Sequence, residues 1–281
     1  MRRRNGWRLL RHLGMSIGLA LATVVNLSPL VWGVLASVRP ETQLLTYPPR
    51  LLDFTFTLDN YRQVLEGAFL RAMANTACYA TASVLIGLLL GTLAAFAFCR
   101  LPLRGGAAMF LLVVASIPLA SGAAALIVPN YLYFTFLGLT NHWFTLPLIY
   151  ISSATPMTIW IIKGAMEAVP RELDEAAHVD GASRLMVFSR IVLPLCLPGL
   201  GAAGLFIFIH AWNEFVAGSV MVDTESLRPV QVMVYQFIGF FSRDWGALTA
   251  SATLAMAPVV LLYGLFGRLM ISGLTVGSVK G

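Results

Sequence analysis

The residues of this chain best placed to do chemistry are three polar side chains inside an apolar stretch, His210, Asn213 and Glu214. Their spacing of i, i+3 and i+4 puts all three on one face of a helix. An imidazole beside a carboxylate can relay protons, and ionisable groups within apolar segments tend to face a bundle interior or a water-filled path. Two readings stay open for the trio. Either it lines a solute path or stabilises a subunit pair, or it makes an interhelical hydrogen bond that only holds a bundle together. Asn75, Thr76, Thr81 and Ser83 in one apolar run, and Ser152, Ser153 and Thr155 in another, offer hydrogen-bond partners to a hydroxyl-rich solute. The competing reading for these is helix–helix packing.

Other chemistries find little here. The only lysines are Lys163 and Lys280, and neither follows the glycine-rich turn of a phosphate-binding P-loop, so no nucleotide site is expected in this chain. Cys78, Cys99 and Cys196 lack paired spacing and read as packing residues; no His/Cys cluster suits a metal. No nucleophile–base cluster suggests a membrane-embedded enzyme.

The elements that must position these residues follow from composition. Of 281 residues, 58% are hydrophobic and 11% charged, against about 25% charged in soluble domains. Mean hydropathy is +0.79. So few charges cannot cover a water-facing surface, which leaves an all-α integral membrane protein. At roughly 20 apolar residues per span, the sequence predicts six transmembrane helices near 13–38, 72–98, 107–129, 143–162, 195–222 and 247–269, in one domain covering 1–281. The first apolar run is too long for a cleaved signal peptide. Gly87-Leu88-Leu89-Leu90-Gly91 is a small-xxx-small step that predicts close helix packing. Pro118, Pro129 and Pro156 are candidate kinks. Six spans put 13 of the 19 basic residues on the side of the termini and of Lys163–Arg190. By the positive-inside rule that side is cytoplasmic. The net charge of +6 therefore reports topology and not nucleic-acid binding.

Between the fourth and fifth spans lies the only extended charged, helix-forming stretch. Pro170 suits the start of a helix, Glu172, Asp174 and Glu175 suit the positive end of its dipole, and Gly181 suits a left-handed stop. A second helical stretch, Ala182–Val192, then leads to Pro194 and Pro198 at the entry to the fifth span. A short helix, a sharp glycine bend and a second helix feeding the membrane is a layout able to carry force; a solvated loop containing a helix is the plainer reading.

Glu175-Ala176-Ala177, Gly181, Ile191, Leu193 and Pro194 fill every fixed position of the pattern E-A-A-x3-G-x9-I-x-L-P, with Asp180 before the glycine. That pattern resembles the EAA loop of binding-protein-dependent ABC importer permeases. Ala211-Trp212-Asn213-Glu214-Phe215 and the tail Gly273–Gly281 resemble the second permease subunit of the carbohydrate branch, of maltose or glycerol-3-phosphate type. The resemblance implies a type I importer permease fold with both termini cytoplasmic, in the bacterial inner membrane. It implies that the loop 163–194 docks on an ATPase through Glu175, Ala176, Ala177, Asp180 and Gly181, with Ile191, Leu193 and Pro194 tying it to the fifth span. It also implies a heterodimer with a second permease subunit, two ATP-binding cassette subunits that use ATP and Mg, and a periplasmic or lipid-anchored solute-binding protein. The segment Asp223–Trp245 resembles the loop that meets that binding protein, and Ser272–Gly281 the tail that reaches the ATPases. The implied function is alternating-access import of a sugar, polyol or glycerol-phosphate-like solute, with no cofactor bound by this chain. The translocation-path candidates are Asn75, Ser152, Ser153, His210, Asn213 and Glu214. A proton-coupled carrier using His210 and Glu214 is the alternative.

Overall fold

The computed structural model describes residues 2–46, 54–121, 123–238 and 244–275, with side chains at 12–46, 54–119, 126–238 and 244–265. The regular elements among them are helical. In chain order they are α1 (Arg2–Ser37), α2 (Glu41–Leu44), α3 (Asp59–Glu66), α4 (Phe69–Arg100), α5 (Gly106–Ala115), α6 (Ile117–Ser121), α7 (Ala123–Phe136), α8 (Thr145–Glu167) and α9 (Arg171–Val179). There follow α10 (Arg184–Val187), a π-helical turn (Phe188–Val192), α11 (Leu193–Leu195), α12 (Leu197–Asn213), α13 (Val216–Met221), a 3₁₀ turn (Glu225–Leu227), α14 (Val230–Gln236) and α15 (Trp245–Thr275).

Four of these helices are long and apolar enough to cross a membrane: α1, α4, α8 and α15. They match the first, second, fourth and sixth expected spans. The third, expected as one helix over 107–129, is divided among α5, α6 and α7. Ser116 sits at the first break, its hydroxyl donating to the carbonyl of Val113 at 2.7 Å, and Pro118 lies in the short α6. The fifth span differs at both ends from the helix expected over 195–222. Residues 184–195 and 197–213 form a pair bent by 76°, with Pro198 in the first turn of α12, where a missing amide proton costs nothing. The helix ends at Asn213, because Glu214 turns to extended backbone (φ −73°, ψ 120°).

The single domain expected from the sequence resolves into two compact units, 1–67 with 234–254 and 68–233 with 255–281. In the first, the apolar side chains of α1 are largely exposed, as a surface facing lipid is. Polar groups organise its far end: the buried Asn60 amide donates to the carbonyls of Ser37 and Arg39 at 2.9 and 2.8 Å. The Arg39 guanidinium lies 4.1 Å from the Phe54 ring centre, and the Ser37 and Tyr61 hydroxyls are 2.7 Å apart. Tyr47-Pro48-Pro49-Arg50 lies outside the described residues.

In the second unit α4, α8 and α12 pack on one another. The face α4 buries is built mainly of small residues, Ala72, Thr76, Ala80, Ser83, Gly87, Gly91, Thr92, Ala95 and Cys99, with Phe69 and Tyr79 buried in its first turns. Among lipid-soluble helices small residues allow close backbone approach, and that approach supplies the attraction. A Cβ on Gly91 would lie 2.6 Å from Thr158 Cγ2, and one on Gly199 2.3 Å from Ala165 Cβ, so these contacts exist only with glycine. The small-xxx-small step is therefore a packing face, as expected. At the end nearest the charged segment, Ala95, Cys99, Ile162, Met166, Val169, Val187, Val192, Cys196 and Ala203 form a buried apolar cluster. Cys99 and Cys196 take the packing role expected of them, whereas Cys78 is exposed.

Candidate functional site: the bent segment between α8 and α12

The segment 170–195 begins as the sequence predicts. Pro170 directly precedes α9, with extended backbone (φ −57°, ψ 135°), and Glu172 and Asp174 occupy the first helical turn. The exit is a Schellman motif. Gly181 N–H donates to the His178 carbonyl at 3.1 Å and Ala182 N–H to the Ala177 carbonyl at 2.9 Å. Gly181 takes φ +84°, the left-handed conformation open to a residue without a Cβ. Ser183 then caps α10, its hydroxyl accepting from Met186 N–H at 3.3 Å. The result is a helix, a fixed reverse bend and a second helix that widens into a π turn before α12.

Little of α9 is buried. Of its nine residues Asp174 alone is buried; Glu175, Ala176, His178 and Asp180 are exposed and Ala177 is half-buried. Val179 is 89% exposed. Behind it, Val187, Val192 and Cys196 carry the burial that joins the segment to α12. Ile191 and Leu193 are half-buried and Pro194 is exposed. The anchoring role expected of Ile191, Leu193 and Pro194 thus falls in large part on their neighbours.

Polar contacts bind α9 to the end of α4. Arg100 Nε lies 2.5 Å from Asp174 Oδ2, with the two side chains only 8% and 12% exposed. The same guanidinium donates to the carbonyls of Val169 and Met166 at 2.9 and 3.4 Å, satisfying the end of α8. Arg171, the first residue of α9, reaches back to the Cys99 carbonyl at 2.9 Å. Lys163 pairs with Glu167 one turn on and lies over the Phe110 ring, 4.3 Å from its centre.

The path candidates are distributed differently from the expectation. Asn75 donates to the carbonyls of Ser226 and Arg228 at 2.8 and 3.2 Å. Thr76 accepts from Val230 N–H at 2.8 Å, and Tyr79 donates to the Leu227 carbonyl at 2.9 Å. These side chains strap the loop 223–230 to α4. Asn141, itself at φ +62°, receives the amides of Asp223 and Thr224 from the other side at 3.2 and 3.0 Å. His210 Nε2 meets the Ser153 hydroxyl at 2.7 Å, an interhelical bond between α12 and α8. Ser152 is exposed and its hydroxyl is spent on the Ile149 carbonyl. Asn213 is also exposed, donating to Ile209. Glu214 lies beyond α12, so it does not share a helix face with His210 and Asn213. Its buried carboxylate instead accepts from Ala217 N–H at 3.0 Å and Gly218 N–H at 3.3 Å, holding the first turn of α13. A carboxylate over free helical amides is favoured both by hydrogen bonding and by the dipole. His210 and Glu214 thus have separate partners and form no relay pair.

Residues 83–276 match the family described as "Binding-protein-dependent transport system inner membrane component". The chain belongs to that family. Similar proteins run along nearly all of the permease. The sulfoquinovosyl glycerol transport system permease protein SmoH of Agrobacterium fabrum is 31% identical, over 94% of this chain and 93% of the relative. The trehalose/maltose transport system permease protein MalG of Thermococcus litoralis is 30% identical, over 97% and 98%. Among solved structures, a chain of a bacterial ABC transporter involved in import of the acidic polysaccharide alginate superposes with a TM-score of 0.79 at 20% identity, over 92% of this chain and 96% of that one. The permease is therefore a multi-pass inner-membrane transport component, and the likeness to the alginate transporter shows its fold.

Sequence reasoning missed two features of the permease. Arg100 and Asp174 are buried together, although the sequence marks Asp174 only as a partner of the helix dipole and gives no sign of its pairing with Arg100. The strap from α4 to the loop 223–230 was hidden because Asn75 and Thr76 are separated from it by about 150 residues of chain. For Thr76 the available signal was a polar residue on the small-residue face of an otherwise apolar helix. The tail 276–281 and residues 239–243 of the loop after Asp223 lie outside the described residues.

Proposed function

We propose that this permease forms half of the translocation pathway of an ATP-driven importer for a small saccharide or related polyhydroxylated solute. The observation that carries this reading is the exposed, rigidly bent helix α9, bearing the Glu175-Ala176-Ala177 and Gly181 pattern, on the apolar cluster where α4, α8 and α12 meet. Glu175, Ala176, Ala177, Asp180 and Gly181 are the docking element for an ATPase subunit that binds ATP and Mg. A second permease subunit completes the path, and a solute-binding protein meets the loop 223–230 on the opposite side. The relatives support the solute class, since their names refer to sulfoquinovosyl glycerol, trehalose/maltose and diacetylchitobiose. Ser152 and Asn213, both exposed, are the path candidates whose positions fit a hydrophilic route.

Alternating access follows from this arrangement. Closure of two ATPases on ATP shifts the docked α9, and the shift passes through the Schellman bend into α12 and tilts it. The test is uptake of a labelled saccharide panel into proteoliposomes holding the complete assembly, with and without the ATPase subunits and with a protonophore. ATP-dependent, protonophore-insensitive uptake that vanishes without the ATPases is the expected result. Uptake by this chain alone, driven by a proton gradient, would overturn the reading.

A further inference from the structure

We propose that Arg100 and Asp174 form a latch that makes the end of α4 move with the coupling helix α9, so that one docking element drives two membrane helices. The inference rests on the reading of α9 as the ATPase-docking element. Along the chain α9 is joined to α8 before it and, through the bend at Gly181, to α12 after it. Nothing in the connectivity ties it to α4. Side chains make that tie, and they make it in both directions. Arg100, in the last turn of α4, lies 2.5 Å from Asp174 and bonds the carbonyls of Met166 and Val169 that lead into α9. Arg171, the first residue of α9, returns to the Cys99 carbonyl in the last turn of α4.

The same contacts explain why an ion pair is used here. Asp174 is the one buried residue of α9, so the helix has little apolar surface of its own to hold it in place. Its grip on α4 depends on charge. Removing one member of a buried pair leaves the other charge without compensation, which makes the pair hard to part while it stays buried. Asp174 Oδ1 is nevertheless without a hydrogen-bond partner. A small cavity of about 140 Å³ beside it is lined by Arg171, Glu175, His178 and Arg184. Arg100 Nε likewise lacks a hydrogen-bond partner, so the contact between the two side chains is one of charge and not of a formed hydrogen bond.

The test uses the complete reconstituted assembly and reads solute moved per ATP hydrolysed, alongside co-purification of the ATPase subunits. Asp174→Asn keeps size and shape, Arg100→Gln puts a shorter polar side chain in place of the guanidinium, and each removes one charge. Each is expected to keep the subunits together and binding-protein-stimulated hydrolysis intact while lowering solute moved per ATP about tenfold, within the range of coupling changes from single substitutions. The exchange Arg100→Asp with Asp174→Arg is expected to recover part of that loss. Wild-type coupling in both single variants would overturn the latch. So would loss of the ATPase subunits in the single variants without recovery in the exchange, which would mark the pair as a folding contact only. These outcomes are distinct from failure of the functional reading, which appears as absence of ATP-dependent uptake in the wild-type assembly.

Discussion

Replacing Gly181 separates backbone geometry from packing, because the structure leaves open space where a side chain would go. A Cβ built at Gly181 meets no atom within 4 Å, while the backbone holds φ +84°. Within this chain any effect of substitution must then come from the cost of the left-handed conformation, roughly 1–2 kcal/mol for an L-residue with a Cβ. Gly181→Ala should cost about 1 kcal/mol, partly offset because alanine reduces the freedom of the unfolded chain. Gly181→Val should cost about 2 kcal/mol, since a β-branched residue is a true outlier there. By the rule of about 1.4 kcal/mol per tenfold, Val lowers the ratio of bent to opened segment roughly thirtyfold. Gly181→Asn should be nearly silent, because asparagine tolerates this region. The assay is solute uptake per ATP in proteoliposomes, with thermal unfolding of the detergent-purified assembly as a control. The expected order of coupling is Gly and Asn above Ala, and Ala above Val. Equal coupling by the Asn and Val variants, whether high or low, would refute the argument from φ.

Three further outcomes follow from the packing. Gly199→Ala places a methyl 2.3 Å from Ala165 Cβ and should destabilise the α8–α12 contact by about 1–3 kcal/mol; Gly164→Ala, in open space, should leave the melting temperature unchanged. An unshifted melt for Gly199→Ala would mean that the helices do not approach so closely. Asn75→Ala removes two hydrogen bonds to the loop 223–230 and Thr76→Val one, and each should speed the loop's amide exchange at least about fivefold, the equivalent of roughly 1 kcal/mol per bond. Unchanged exchange would remove α4 as the anchor of that loop. Glu214→Ala strands two buried amides of α13 at a cost of about 1–3 kcal/mol, whereas Glu214→Gln keeps an acceptor and should retain uptake. A Gln variant that folds normally yet no longer transports would restore Glu214 as a proton carrier.

The bent segment between α8 and α12 was the most legible part of the protein, because its signals are local. Pro170, the acidic first turn and Gly181 each act within a few residues, so a helix, its stop and the next helix could be read directly from their order. The four continuous spans were legible for the same reason: a long apolar run has only one way to satisfy its backbone in lipid. The broken third span was less so, since α5, α6 and α7 are all apolar and composition does not mark where a helix interrupts. The trio His210, Asn213 and Glu214 shows a different limit. Helical spacing predicts a shared face only while the helix continues, and Glu214 leaves it to hold the amides of Ala217 and Gly218.

From the sequence alone came a membrane protein with scarce charge, most of its basic residues assigned to one side, and a charged helix–bend–helix segment of defined shape. Those properties depend on hydropathy, residue counts and short-range backbone preference, all of which are written along the chain. The tertiary structure decided which of the scarce polar groups meet. It placed Arg100 against Asp174, Asn75 and Thr76 against the loop 223–230, and His210 against Ser153. A polar group in an apolar bundle must find a partner wherever the packing brings one within reach. Packing of small-residue faces on α4, α8 and α12 sets those distances, and no local pattern specifies them.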